Sequence, residues 1–230
     1  MLPMSTQSRL VTIAVYPHKL IQLFESEWQV APERLLAGTS LTLEQLDRPD
    51  RLVPLVDVFQ MFLNAMVLCP EPDLALRYGR LLLPSEHGQL GLATLTAPTL
   101  RDVVALYYNY MAVVAPFLLT HQEERNQHLQ VVFEMITDLR ADEAFVMELV
   151  LMAAFNITER ILGDQVRAMS LNFTSPPPAY VERLQEACRG TAHFNASFNG
   201  LNIPQSLLDA PIASADPVQH ARALQVINER

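Results

Sequence analysis

In 230 residues with a formal net charge of −9 and 50% apolar composition there is room for a buried core, but no electrostatic footprint for nucleic acid. Lys19 is the only lysine and the arginines are scattered singly, which argues against this chain holding a phosphate backbone by itself. No apolar run reaches the roughly 18 to 20 residues of a membrane span, and MLPMSTQSRL lacks the basic region, apolar block and cleavage site of a secretory signal.

Helical spacing dominates the first half. Leu20, Leu23, Phe24 and Trp28 recur on one face, and in APERLLAG a first-turn Pro32 is followed by a stop at Gly38. PLVDVFQMFLNAMVL predicts a longer helix with Leu55, Val58, Phe59, Phe62 and Met66 as its apolar stripe. TLRDVVALYYNYMAVV opens with a capping box, Thr99 with Asp102. Its face carries Leu100, Val103, Val104, Tyr107, Tyr110, Met111 and Val114.

The period then changes. In PFLLTHQEERNQHLQVVFEMI, Leu129, Val131, Phe133 and Met135 alternate, and the polar QEERN separates two arms of a predicted hairpin. DEAFVMELVLMAAFNITERILG is apolar almost all round and predicts a central helix. RAMSLNFTS alternates through Met169, Leu171 and Phe173, SPPPAY reads as an internal turn, and YVERLQEAC as a short helix. HFNASFNGLNIP predicts a second hairpin that turns at Asn199-Gly200. The order is helices, hairpin, helix, strand, helix, hairpin. It predicts an α+β fold with helices packed on a small, mostly antiparallel sheet. No repeat or linker divides the chain, so residues 1–230 are expected to form a single domain.

Few residues offer chemistry. GQLG lacks the third glycine of a dinucleotide fingerprint and the lysine of a phosphate loop, so Gly88 and Gly91, with Ala93 and Ala97, are expected to permit a close turn or helix crossing. His121 and His128 flank the hairpin turn and can face each other across it, but two imidazoles fall short of a zinc site. Cys69 and Cys188 stand in no ligand spacing and read as buried or half-buried thiols of a reducing, cytoplasmic setting. No hydrolase elbow, HExxH or CxxC occurs, and neither catalysis, metal nor cofactor is expected.

The central helix is more informative. Glu148 and Asn156 interrupt a greasy segment, with Met152 and Phe155 on the same face. A buried carboxylate without a partner is costly, so Glu148 is expected to reach solvent, pair with an arginine, or line a cavity. An apolar pocket with a few polar handles is the usual anatomy of a small-molecule site. Tyr107 and Tyr110 suit its opposite wall. The candidate ligand-binding set is Tyr107, Tyr110, Met111, Phe133, Glu148, Met152, Phe155, Asn156 and Phe173.

Several ordered phrases carry a resemblance. They are LLAGTSLTLEQLDRPDRLVPL, PDLALRYGRLLLPSEHGQLGLATLTAPTLRDVVALYYNYM, RAMSLNFTSPPPAYVERL and HFNASFNGLNIPQSLLDAPIASADP, with the HGxLG turn, TLRD and LLDAPIASADP the most specific. From about Tyr16 to Val218 the chain resembles the N-terminal, arabinose-binding-like effector-sensing domain of AraC-type transcriptional regulators. The resemblance implies a bacterial cytoplasmic sensor joined to a C-terminal pair of helix-turn-helix motifs. Here the sequence ends at QVINER, where that DNA-binding domain is expected to begin. The expected partners are therefore a small hydrophobic or amphipathic effector, a second copy in a homodimer, and DNA only through a domain outside this chain. The rival expectation is a ligand-free module that only dimerises or docks on the DNA-binding domain.

Overall fold

The computed structural model describes residues 10–136, 142–189 and 191–229; nearly all of the opening stretch weighed above as a signal lies outside them. Strand β1 (Val11–Ile13) pairs antiparallel with β2 (Leu52–Pro54). Three-residue strands are too short for alternation to show, and the sequence reading missed both. Between them lie α1 (Val15–Trp28), α2 (Pro32–Leu35), with proline in its first turn, and α3 (Leu43–Leu46), opened by a Thr42/Gln45 capping box.

Helix α4 (Leu55–Leu68) buries Leu55, Val58, Phe59, Met61, Phe62 and Ala65. Met66, expected on that stripe, lies on the exposed side, because the buried face drifts toward Met61 and Ala65. Next come α5 (Leu74–Leu81), a 3-10 turn (Pro84–His87), α6 (Gly88–Thr96) and α7 (Leu100–Val114). The α7 capping box is present as expected: Thr99 Oγ1 accepts from Asp102 N at 3.3 Å, and Asp102 Oδ2 accepts from Thr99 N at 3.0 Å.

GQLG is the first turn of α6. Gly88, at φ +56°, makes the joint with the 3-10 turn, and Gly91 faces the backbone of Pro84. A Cβ on Gly91 would stand 1.6 Å from Pro84 O, so the motif serves close packing.

Strands β3 (Leu118–Arg125) and β4 (His128–Met135) form the expected hairpin. Its turn is Asn126-Gln127, at φ +50° and +61°, so most of QEERN belongs to β3. Helix α8 (Glu143–Leu162) is N-capped by Asp142 and buries side chains around most of its circumference. A 3-10 turn (Gly163–Ala168) leads to β5 (Ser170–Asn172), followed by α9 (Val181–Cys188), β6 (Thr191–His193), β7 (Asn199–Pro204), α10 (Gln205–Leu208) and α11 (Pro217–Asn228).

The larger sheet has the order β3-β4-β7-β5-β6, with only β5-β6 parallel, so the fold is α+β on a mostly antiparallel sheet. The second hairpin is corrected. Asn199 and Gly200 begin β7, opposite Phe133 and Val132 of β4, and Gly200 also faces Asn172 of β5. A dipeptide that tolerates positive φ is equally compatible with extended backbone, and the pairing on both sides of β7 decides the matter. Strand β5 separates β6 from β7.

One large apolar cluster joins the helices to the inner face of the sheet. A smaller one, Leu90, Ala93, Leu106 and Ala223, forms where α11 packs on α6 and α7. Among the described residues no helix is long and apolar enough to cross a membrane.

The Gly91 contact yields a stability prediction. Gly91→Ala is expected to cost about 2 to 4 kcal/mol, since backbone rather than a flexible side chain must move. Urea unfolding measures it, and an unchanged midpoint would contradict the close approach.

Candidate functional site

A cavity of about 160 Å³ lies between α7, α8 and the inner face of β4 and β7, with α1, α4 and α5 closing its other side. An apolar cavity of about 150 Å³ in another protein stays dry and admits benzene, so the space here suits a small molecule. Helix α7 contributes Val103, Val104, Tyr107 and Met111; α8 contributes Leu149, Val150, Ala153, Ala154 and Ile157. The adjacent alanines of α8 leave room where longer side chains would meet α7. Among the described residues no aspartate, glutamate, lysine or arginine lines the space.

Polar side chains line it at Thr120 and Gln122 of β3 and Thr158 of α8, and a connected group lies near the 3-10 turn. Tyr78 donates from its hydroxyl to Tyr16 O at 2.6 Å, and the Tyr16 hydroxyl lies 2.9 Å from His87 Nδ1. Lys19, one turn beyond Tyr16 on α1, bridges to Glu86 Oε1 at 3.3 Å and holds the same turn. The rings of His87 and Tyr107 meet edge to face, centroids 6.1 Å apart. Burial pushes the His87 imidazole down to about 4 and the Tyr107 phenol up to about 12, so both are uncharged near neutral pH. The Thr94 hydroxyl favours the Tyr107 phenolate slightly, yet it donates to Leu90 O and lacks hydrogen-bond geometry to Tyr107, whose oxygen has no partner.

Of the residues expected at a ligand site, Tyr107, Met111 and Phe133 line this cavity together. Tyr110 projects from the other side of α7, where its hydroxyl donates to Asn228 Oδ1 of α11. Glu148, Met152 and Asn156 lie in the seam between α8 and its neighbours α5 and α9. Tyr180 donates to both carboxylate oxygens of Glu148 at 2.9 Å, which is none of the three expected outcomes. Met152 Sδ is 3.6 Å from Cys188 Sγ, and Asn156 Nδ2 donates to Arg80 O and Leu82 O at 3.0 and 3.2 Å. Phe155 is buried in the core off the cavity, and Phe173 stacks on Phe194. A helix buried nearly all round has several apolar faces, and its sequence does not distinguish the one beside the empty space.

His87, Tyr16 and the Ala153-Ala154 step were missed as lining residues. Two adjacent small residues in a greasy helix were the available signal; nothing in the sequence shows what His87 faces. His121 lies opposite Val132 and His128 opposite Arg125, so the register does not set the two imidazoles face to face. Among the described residues no three His, Cys, Asp or Glu side chains group as metal ligands. Burial pushes the Cys188 thiol up to about 12, unlike a reactive nucleophile, and Cys69 is a half-buried free thiol.

A partly open cavity without a charged lining residue among the described residues lies beside a helix that packs on the last helix of the chain, and comparisons with known proteins supply the family. The chain belongs to the family described as the arabinose-binding domain of AraC transcription regulator, N-terminal, whose model matches residues 30–212. It is similar to an ornithine utilization regulator of Pseudomonas aeruginosa, with 28% identity over 218 residues, 94% of this chain and 63% of that protein. The chain thus spans less than two thirds of that relative's length. Its fold is like that of the crystal structure of the transcriptional regulator CdpR from Pseudomonas aeruginosa. The TM-score is 0.69 at 16% identity, over 92% of this chain and 62% of that one.

Glu148 generates a pH prediction. Burial raises its carboxyl from 4.5 to about 7, against the lowering effects of the Tyr180 hydroxyl and the Leu76 backbone. The folded state therefore holds a proton that the unfolded state releases. This stabilises the fold below 4.5, and the contribution is lost as pH rises to about 7. Glu148→Gln is expected to gain on the order of 2 kcal/mol over the wild type between the acid and alkaline sides of that window. Chemical unfolding at several pH values checks it; parallel curves for the two proteins would contradict it.

Proposed function

We propose that this domain senses a small, mainly apolar molecule taken up in the cavity, and that occupancy is transmitted through α7 to α11 and an attached DNA-reading domain. The observation that carries the reading is an apolar cavity without a charged lining residue among the described residues, in a member of a transcription-regulator family. Helix α7 supports the route. Tyr107 and Val114 pack against both the main core and the small cluster that holds Ala223 of α11. A ligand that prefers one position of α7 shifts the population of arrangements presented by α11.

The cavity's chemistry also argues about the ligand. The relative's name refers to ornithine utilization, and ornithine carries two ammonium groups and a carboxylate. None of these would find a charged partner among the lining residues, and burying unpaired charge is costly. A sugar such as arabinose would likewise bring more hydroxyls than this lining can pair.

Native mass spectrometry of protein purified from its own host identifies a retained ligand. Ala153→Phe, which fills the space facing α7, is expected to leave the domain folded and to weaken that ligand at least about 100-fold, removing about 2.7 kcal/mol of ligand-dependent stabilisation. Thermal shift with and without the ligand reads this directly. Equal shifts in the two proteins would place the ligand elsewhere.

A further inference from the structure

The inner face of the larger sheet changes character at its edge. Leu201 of β7, Val131 of β4 and Gln122 of β3 stand opposite one another across the ladders, and Phe133 stands opposite Thr120. Val131, Phe133 and Leu201 are buried, whereas Thr120 is half-buried and Gln122 exposed, although both line the cavity. A polar side chain on the core-facing side of a strand that still reaches water marks a place where the core is open. Tyr108 of α7 has the same double character: it lines the cavity and is 50% exposed.

Helix α7 reaches β3 through residues 115–117 alone, so the two elements run back along each other. At the far end Arg101 of α7, paired with Asp209, also lies within the field of Glu124 of β3. Helix rise puts Tyr108 about 9 Å along α7 from Val114, and strand rise puts Thr120 and Gln122 about 7 and 14 Å along β3 from Leu118. The three residues therefore stand at one level, on the two sides of a gap between α7 and β3.

We propose that this gap is the cavity's entrance, and that Thr120 and Gln122 hold there the uncharged end group of the ligand, an alcohol or a primary amide, whose apolar body fills the interior. This rests on the cavity being the sensor's ligand site. A threonine hydroxyl and a glutamine amide each donate and accept, so they match an end group that does both. Deeper in, the Thr158 hydroxyl is engaged by Ala154 O, and α7 and α8 otherwise offer mainly hydrocarbon. A carboxylate at the entrance would meet Glu124, the next residue on the same face of β3, with no cation among the described lining residues. An ammonium would find that carboxylate already engaged by Gln205 Nε2 at 3.3 Å. Inward polar residues also blunt an edge strand against unwanted pairing, and the ligand readout separates the two roles.

The test uses four probes of one skeleton, 3-phenylpropan-1-ol, propylbenzene, 3-phenylpropanoate and 3-phenylpropylamine. Each is titrated calorimetrically into the wild type, the Thr120→Val/Gln122→Leu double variant and Ala153→Phe. The wild type is expected to bind the alcohol about fivefold or more tighter than the carboxylate or the amine. The double variant keeps the side chains' size and should weaken the alcohol about fivefold. Propylbenzene, undiminished in that variant, reports an intact cavity. Nuclear Overhauser contacts should join the alcohol's CH2OH protons to Thr120 and Gln122, and its ring to Ala153. Unchanged alcohol affinity in the double variant, or CH2OH contacts only to interior residues, overturns the entrance assignment while loss of binding in Ala153→Phe upholds the cavity. Equal loss of alcohol and propylbenzene in the double variant gives the two residues to the strand's own packing and overturns it too. Tightest binding by the carboxylate or the amine overturns the uncharged class. Failure of every probe to bind, or full binding by Ala153→Phe, overturns the cavity reading and the assignment with it.

Discussion

Helices α5 and α8 touch backbone to backbone at Gly79, and the placement of His87 in the cavity wall depends on that contact. A Cβ at Gly79 would stand 2.8 Å from Met152 Cβ and 2.9 Å from Leu149 O. The approach is held beyond the glycine by Asn156, whose amide serves two carbonyls at the end of α5 that have no partner within the helix. It fixes Tyr78, the preceding residue, fully buried and donating to Tyr16 O. Tyr16 in turn meets His87. A relay of packed side chains thus runs from a helix crossing to an imidazole in the cavity wall, and each member has its geometry set by the one before.

The polar residues of α8 follow the same logic. In sequence they look like handles for a ligand; in the fold they hold helices together. Asn156 closes α5, Glu148 receives Tyr180 from the turn before α9, and Met152 fills the space beside Cys188. Reasoning from burial correctly demanded partners for Glu148 and Asn156. It did not reveal that those partners are Arg80 O and Leu82 O at the end of α5 and the hydroxyl of Tyr180, because a one-dimensional pattern gives the phase of a helix and not the identity of its neighbours.

Legibility followed the strength of local signals. The capping box of α7, the periodicity of α4 and the alternation of β4 were readable because each depends on residues within a few positions of one another. Strands β1 and β2 were not, since their pairing joins segments about forty residues apart through three residues each. Asn199-Gly200 misled because its turn propensity is weaker than the ladders that β7 makes on both sides. At the cavity, Tyr107, Met111 and Phe133 emerged from amphipathic faces. His87 did not, because its environment comes from α1 and α7, which its own neighbours do not encode.

In its middle turns helix α7 stands between two contacts: Tyr107 and Met111 border the cavity, Leu106 and Tyr110 meet the elements around α11, and Ala105, Tyr108 and Asn109 face solvent. Protein interiors are packed as densely as molecular crystals and compress little. A guest larger than the space beside α7 is therefore not absorbed by a softening of the core. On the proposed sensing reading it would move the helix, whose far surface packs against Ala223 and Asn228. In mechanical terms that reading makes α7 a piston rather than a spring, with the size of the guest converted into a length.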